Sequence, residues 1–302
     1  MTARTRARLQ LVVAAMLFST GGAAIKAAAF SGVQVASLRS GIAAVAVLLM
    51  IPAARRGWSW RTLVVGAAYA ATLVLFVLAN RLTTSANTIF LQSTGPLYLV
   101  VLGPLLLHER VRRQDLALMG VVAIGLVLFF VGAERPVGTA PDPARGNLLA
   151  AASGLTWALT LLGLRWLSDA ERSAGHTDAN PSIAAVAAGN LIACLACLPW
   201  ALPLGAHGVA DWAIVGYLGV FQIAVAYLFV TAGLRHVPAF EASVLLLVEP
   251  ALNPIWSWLV HGEVPGAWAI VGGVLILGAT VVKTWLDARL APLAPAAVAD
   301  GA

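Results

Sequence analysis

The chain has 302 residues, of which 60% are hydrophobic and only 11% are charged, with a formal net charge of +6 at pH 7. A soluble domain carries charge on about a quarter of its residues, so this chain could not cover a water-facing surface. Soluble and nucleic-acid-binding classes are therefore excluded. In a membrane protein an excess of Lys and Arg reports orientation, so we expect the lipid bilayer as partner and no nucleic acid.

The N-terminal segment MTARTRARLQLVVAAMLFSTGGAA combines three arginines with an apolar stretch and alanines, a pattern that a secretory signal peptide also shows. The apolar pattern continues past Lys26 to Phe30, and further apolar runs follow. We therefore interpret this segment as an uncleaved first membrane helix.

Ten apolar runs of about the length needed to cross a bilayer follow one another along the chain. They cover residues 9–30, 33–53, 61–79, 85–107, 114–133, 147–167, 183–204, 211–233, 240–261 and 266–286. Backbone amides in lipid must be paired internally, and no run alternates as a barrel strand does. The fold predicted is an all-α integral membrane protein with ten transmembrane helices.

The basic residues between the runs predict the topology. With a cytoplasmic N-terminus, most Lys and Arg fall in cytoplasmic segments, beginning with Arg4, Arg6 and Arg8. Omitting or adding one helix would move the later loops to the opposite side of the membrane, and the excess of Lys and Arg on one side would be lost. We therefore expect both termini in the cytoplasm, with residues 291–302 as a disordered tail.

The longest segment expected outside, RPVGTAPDPARG at residues 135–146, is a Pro- and Gly-rich linker that divides the runs into five plus five. Residues 81–109 align without a gap with residues 235–263, so that Pro96 meets Pro250. An odd number of helices per half makes the two copies insert in opposite directions. Such inverted repeats are typical of secondary transporters, whose site lies near the membrane midplane between the copies.

These landmarks resemble the EamA-like branch of the drug/metabolite transporter superfamily. The resemblance is carried by two five-helix repeats, by SLRSG (37–41) in helix 2, and by a proline in helices 4 and 9 followed by LHER (107–110) or HGEV (261–264). It covers the chain as a first repeat (1–134) and a second repeat (147–290). It implies a bacterial inner-membrane transporter, usually an exporter, that moves amino acids, metabolites or drugs by alternating access around a central cavity.

Two charged side chains within the predicted spans are candidates for the site. Intramembrane acids usually face the bundle interior and often mark a substrate or proton path, which makes Glu249 a candidate and the proton a candidate coupling ion. Alternatively, Glu249 pairs with Arg39 or binds a backbone group that Pro250 frees. Arg39 either snorkels to the interface, pairs with Glu249, or attracts an anionic group of the substrate. Lys26, near the end of helix 1, is expected to snorkel.

The remaining candidates are neutral. Prolines disrupt helices, so Pro96, Pro250 and Pro254 are candidate hinges; the alternative is that they produce static kinks without motion. The polar or aromatic side chains predicted to contribute to the cavity are Ser19, Asn87, Gln92, Trp157, Asn190, Gln222, Tyr227 and Asn253. Amides of this kind also join helices to one another without contacting a substrate. Glu109 and Glu263, at the ends of helices 4 and 9, are expected to cap neighbouring helices or to pair with arginines.

Other function classes lack their characteristic residues. The spans offer neither the clustered carboxylates of a Mg²⁺-dependent prenyltransferase nor a nucleophile with a base in reach. Cys194 and Cys197 lack the further ligands of a metal site. We therefore expect no enzymatic activity, no cofactor and no metal. A passive channel would show conductance instead of saturable counterflow, and a lipid flippase would need a cavity open towards the bilayer; both remain alternatives.

Overall fold

The computed structural model describes residues 2–95, 97–99, 102, 113–131, 135–174, 181–234, 236, 237, 242 and 245–290. Helices account for nearly all of this part of the chain, apart from an isolated antiparallel bridge between Val137 and Ala140. The helical character follows from the length of the apolar runs, because a helix pairs its own backbone within lipid.

Six helices of the first half have both of their ends within the residues described. They are α1 (Ala3–Ser19), α2 (Gly21–Ala27), α3 (Gly32–Met50), α4 (Trp60–Leu82), α5 (Ser85–Gln92) and α6 (Arg113–Val131). A 3₁₀ turn at Pro52–Arg55 joins α3 to α4. The start of α3 is a capping box, in which Ser31 Oγ accepts from the Gln34 amide and Gln34 Oε1 accepts from the Ser31 amide.

The second half is described as six further helices and one π-helical stretch. They are α7 (Pro143–Ala174), α8 (Pro181–Ala201), α9 (Val209–Tyr217), the π stretch (Leu218–Val225), α10 (Ala226–Gly233), α11 (Val248–His261) and α12 (Ala267–Leu290). The α9 helix, the π stretch and α10 follow one another without a break. The predicted hinge Pro96, the terminal Glu109 and the tail 291–302 lie outside the described residues.

Six helical segments of the described chain are long and apolar enough to cross a membrane. They are Ala3–Ala27, Gly32–Met50, Trp60–Leu82, Pro143–Leu167, Ser182–Ala201 and Val209–Gly233. Leu116–Val131 and Ala267–Lys283 are shorter apolar helices. The chain is therefore a multi-pass helical membrane protein.

Three of the predicted helices are interrupted, two of them close to the prolines for which hinges were expected. The first run breaks at Thr20, whose hydroxyl donates to the Leu17 carbonyl at 2.7 Å and contacts the Tyr217 hydroxyl at 2.8 Å. The fourth run breaks in a turn at Ser93 and Thr94, and the ninth in a turn at Leu247, directly before α11. Hydroxyl groups compete for backbone bonds in this way and bend or end helices.

Helices pack closely where glycines remove side chains. α4 lies against α7 and α8, α3 against α8 and the π stretch, and α6 against α12. At the last crossing, a Cβ on Gly125 would lie 2.9 Å from the Gly272 carbonyl oxygen, and one on Gly272 would lie 2.7 Å from that of Gly125. The two backbones therefore touch, as small residues permit in membrane helices.

Candidate functional site

A cavity of about 500 Å³ lies in the centre of the bundle, between helices of both halves. Its volume is in the range of sites for small molecules. The lining residues that the sequence analysis had singled out are Arg39, Gln92, Trp157, Gln222, Tyr227, Glu249 and Pro250. These residues are distant in sequence and come together only through the packing of the two halves.

Aromatic rings form much of the apolar wall of this cavity. The ring of Tyr227 meets those of Phe18 and Tyr69 edge-on, with centroid distances of 5.4 and 6.1 Å. Phe76 and Trp157 complete the wall. The sequence analysis missed Phe18, Tyr69 and Phe76, although Tyr69 and Phe76 stand seven residues apart on one face of α4, a spacing that indicates a shared surface.

Arg39 contributes a buried cation to the lining. Its exposed fraction is 1%, and its Nη2 donates to the Leu73 carbonyl at 3.2 Å. Nε has no hydrogen-bond partner among the described residues. The snorkelling interpretation is therefore wrong, because the guanidinium group is directed into the bundle. Within the described part of the chain, no ion pair joins Arg39 to Glu249.

Glu249 is the anionic member of the lining and sits in the first turn of α11. The unpaired amides and the helix dipole at that end favour a negative charge, whereas burial opposes it. The side chain is half-buried, and none of the described residues gives it a hydrogen bond or an ion pair. Pro250 follows in the same first turn. Proline has no amide hydrogen, but this costs no hydrogen bond here, because the amides of the first turn have no acceptor within the helix. Pro254 lies inside α11 and leaves the Pro250 carbonyl without its usual donor.

Gln222 reaches the cavity from the π stretch. A π-helical turn places an extra residue in the helix and is frequent at functional sites. The Gln222 Nε2 donates to the Phe18 carbonyl at 3.5 Å, so it links the π stretch to α1. Gly219 allows the π stretch to approach α3, because a Cβ there would lie 2.6 Å from Ile42 Cγ2 and 2.9 Å from the Arg39 carbonyl oxygen.

Four predicted cavity residues lie outside this lining. Ser19 Oγ accepts from Trp256 Nε1 at 2.8 Å, and the amide of Asn190 donates to the Val186 carbonyl at 2.9 Å. Asn87 donates at 3.2 Å to Asn147 Oδ1, which joins α5 to α7. Asn253 is fully buried on α11. The first three fit the alternative reading, in which polar side chains join helices or bond the backbone.

A buried ion pair lies at the end of the bundle that holds the linker. Lys26 Nζ stands 2.7 Å from Glu263 Oε1, with side-chain exposures of 5% and 3%. Lys26 also donates to the carbonyls of Thr83 and Thr139. The other Glu263 oxygen accepts from the Ser85 amide at 3.0 Å and so caps α5, as expected for this residue. The expectation that Lys26 snorkels is wrong, because its ammonium group is held by these partners.

The described residues contain no group of three or more His, Cys, Asp or Glu side chains that could hold a metal ion. Cys194 and Cys197 are free thiols. Among the described residues, the cavity lining offers one cation (Arg39), one carboxyl group (Glu249), neutral hydrogen-bonding groups and aromatic rings, a combination that suits the binding of a solute.

Comparison with known proteins identifies the family. The model of the EamA-like transporter family matches residues 5–131 and again residues 144–285. The chain belongs to the EamA-like transporter family. The gap between the two matches lies close to the linker of this EamA-like transporter, and together the matches cover most of its length.

Relatives of this EamA-like transporter are named as transporters or exporters, not as enzymes. The pseudopaline exporter CntI of Pseudomonas aeruginosa strain UCBPP-PA14 is 25% identical over 279 residues, which is 90% of this chain and 94% of the relative. An uncharacterized transporter of Archaeoglobus fulgidus is 26% identical over 216 residues, covering 72% and 73% of the two chains. One solved crystal structure shares the fold, with a TM-score of 0.61 and 19% identity over 95% of this chain and 99% of that one.

Proposed function

We propose that this EamA-like transporter exports small organic solutes, such as amino acids or metabolites, by alternating access around the central cavity. The observation that carries the proposal is the cavity itself, where Arg39 and Glu249 stand among aromatic rings. A buried charge without a counter-charge is costly. A solute with ionised groups and an apolar body would therefore complement the lining.

The proposed architecture is ten helices in two inverted five-helix repeats. The separate family matches to residues 5–131 and 144–285 support two copies. The packing also supports them: α1 contacts α10 as α7 contacts α4, and α10 and the end of α4 are equivalent when the halves are exchanged. Gly95 and Glu249, which the repeat alignment pairs, both line the cavity.

Alternating access needs segments that can bend. The turns at Ser93 and Leu247 occupy paired positions of the repeat alignment, each three residues before Pro96 or Pro250. Prolines beside interrupted helices supply bending points, because a helix with interrupted backbone hydrogen bonds resists bending less than a continuous helix does. We propose Pro96, Pro250 and Pro254 as hinge residues on this basis.

The direction and location of transport are part of the proposal. The CntI relative is named an exporter, which supports export here. The distribution of Lys and Arg supports an inner-membrane protein with both termini in the cytoplasm. Glu249 is the residue through which a proton would couple to transport.

The test is counterflow in proteoliposomes. Labelled amino acids and small metabolites are screened with and without a pH gradient, using wild type, Glu249→Gln and Arg39→Gln. Arg145→Gln is the matched control, because Arg145 is 82% exposed in its side chain and pairs with Asp142 at the surface. Saturable counterflow that both site variants impair, and the control does not, supports a carrier.

Three results would contradict parts of the proposal. Conductance without counterflow would indicate a channel, and movement of labelled lipid alone would indicate a flippase. Normal transport and a normal gradient response in Glu249→Gln would remove Glu249 from the site. Loss of only the gradient response would identify it as the proton site.

A further inference from the structure

Several polar side chains between α2, α5 and α11 are buried without hydrogen-bond partners. Within the described residues, this applies to Oδ1 and Nδ2 of Asn253 and to the hydroxyl groups of Ser85 and Ser257. The three residues are at most 1% exposed. Folded proteins leave few buried polar atoms unpaired, so these atoms form a group whose hydrogen bonds a polar molecule, or water, could complete.

Gly22 of α2 shows that the side chains of Asn253 and Ser85 lie together. A Cβ on Gly22 would lie 2.8 Å from Asn253 Oδ1 and 2.8 Å from Ser85 Oγ. Ser257 follows Asn253 by one helical turn and so projects from the same face of α11. We call Ser85, Asn253 and Ser257 the polar seam. The backbone of α2 at Gly22 lies against Asn253 and Ser85.

The polar seam begins beside the central cavity. A Cβ on Gly21 would lie 2.8 Å from Gln222 Nε2, and Gln222 lines the cavity. The Oε1 of Gln222 has no partner among the described residues either. Neighbouring glycines of one short helix thus contact the cavity wall on one side and the polar seam on the other.

The far end of the polar seam is the buried ion pair. The backbone amide of Ser85 donates to Glu263 Oε2 at 3.0 Å, and Glu263 Oε1 pairs with Lys26 at 2.7 Å. Lys26 belongs to the first half and Glu263 to the second, and Thr139, whose carbonyl also binds Lys26, belongs to the linker. The pair therefore ties both halves and the linker together at the start of α5, beside Ser85 of the polar seam.

We infer that the polar seam is a second binding site, which takes the polar end of the transported solute after it leaves the cavity, and that the Lys26–Glu263 pair closes this site towards the linker face. The inference rests on the proposed function. Amide and hydroxyl groups can bond an ammonium or carboxylate group and its hydration water without holding it tightly. A buried ion pair is stable when both charges are paired, and each charge needs water when the pair is broken. The pair therefore suits a contact that is either fully closed or fully open to water.

The test is the accessibility of a cysteine in the polar seam. Ser257→Cys is introduced after Cys194→Ser and Cys197→Ala have removed the native thiols. Membrane vesicles are treated from either side with a membrane-impermeant maleimide. Gly138→Cys marks the linker face, because a Cβ at Gly138 meets nothing within 4 Å.

We expect slow labelling of Ser257→Cys alone and labelling from the linker face at least about tenfold faster when Lys26→Met is added. The exchanged pair Lys26→Glu with Glu263→Lys should restore slow labelling. Arg145→Met, which removes the cation of an exposed ion pair 3.3 Å long, should leave the rate unchanged. A transported solute at saturation should slow labelling in Lys26→Met.

Unchanged labelling in Lys26→Met, with a melting profile equal to that of Arg145→Met, would overturn the inference. If Lys26→Met does not fold, Glu263→Gln replaces it, since the amide oxygen can still cap α5. Labelling does not require transport. Faster labelling with no solute transported would therefore support the closing pair and count against the proposed solutes, whereas normal transport with no change in labelling would count against the closing pair alone.

Discussion

Gly219 determines how closely the π stretch approaches Arg39. At this position the absence of a side chain allows the close contact between the π stretch and α3. Gly216, nearly one turn earlier, has nothing within 4 Å of an added Cβ. The two glycines therefore form a matched pair in which only one is required by packing.

We expect Gly219→Ala to lower the free energy of unfolding by about 1–3 kcal/mol, because the new methyl group would overlap Ile42 and the Arg39 carbonyl. Gly216→Ala should be neutral or stabilising by up to about 1 kcal/mol, since alanine favours the helix. Thermal unfolding in detergent measures both. Equal stability of the two variants would contradict the packing argument.

At Arg39 the planar geometry of the guanidinium group matters as well as its positive charge. The planar guanidinium bonds the Leu73 carbonyl and can still present other N–H groups to the cavity. Arg39→Lys should fold normally but raise the KM for a carboxylate-bearing solute by about tenfold, as the loss of a bidentate contact would. Arg145→Lys is the control. An unchanged KM in Arg39→Lys would show that Arg39 does not contact the solute.

At the scale of elements, the π stretch decides which face of α10 meets the cavity. Tyr227 and Val230 of α10 line it. Removing one residue upstream rotates everything after it by about 100° relative to α9, since an α-helix has 3.6 residues per turn. The orientation of α10 thus depends on the number of residues in the π stretch.

We expect deletion of Phe221, which is 50% exposed, to abolish counterflow while the protein still inserts into the membrane and purifies as a single species. Phe221→Ala keeps the length of the stretch and should retain transport. Counterflow of the two variants, measured at equal protein density, tests this. Full activity of the deletion variant would mean that the π stretch does not set the register of α10.

The same elements show what could be predicted from the sequence. The apolar runs were recognisable because lipid requires about 20 consecutive apolar residues. Gln222 and Glu249 were found because polar groups are conspicuous in such runs. Tyr69 and Phe76 were missed because aromatic rings suit a lipid-facing surface equally well. The break at Thr20 and the contact between Lys26 and Glu263 depend on partners far away in the chain, which periodicity does not report.

For the whole molecule, the charge distribution predicts one orientation in the membrane. In the background without Cys194 and Cys197, Gly138→Cys should react with an impermeant maleimide on intact spheroplasts. Ala3→Cys, at the exposed start of α1, should react only after permeabilisation. Short loops rich in Arg and Lys stay in the cytoplasm, which is the physical reason for the difference. The reverse pattern of labelling would contradict the topology.

The presence of Arg39 and Glu249 in one cavity also has an electrical consequence. With both ionised, the charges of these two lining residues sum to zero, so the empty carrier would reorient without work against the membrane potential. One elementary charge moved across the membrane is worth about 2.3 kcal/mol per 100 mV. The current per cycle would then equal the charge of the solute, and a proton carried on Glu249 would change it by one unit, with a sign that depends on whether the proton moves with the solute or against it. Recordings at clamped voltage could thus count the protons that accompany each solute.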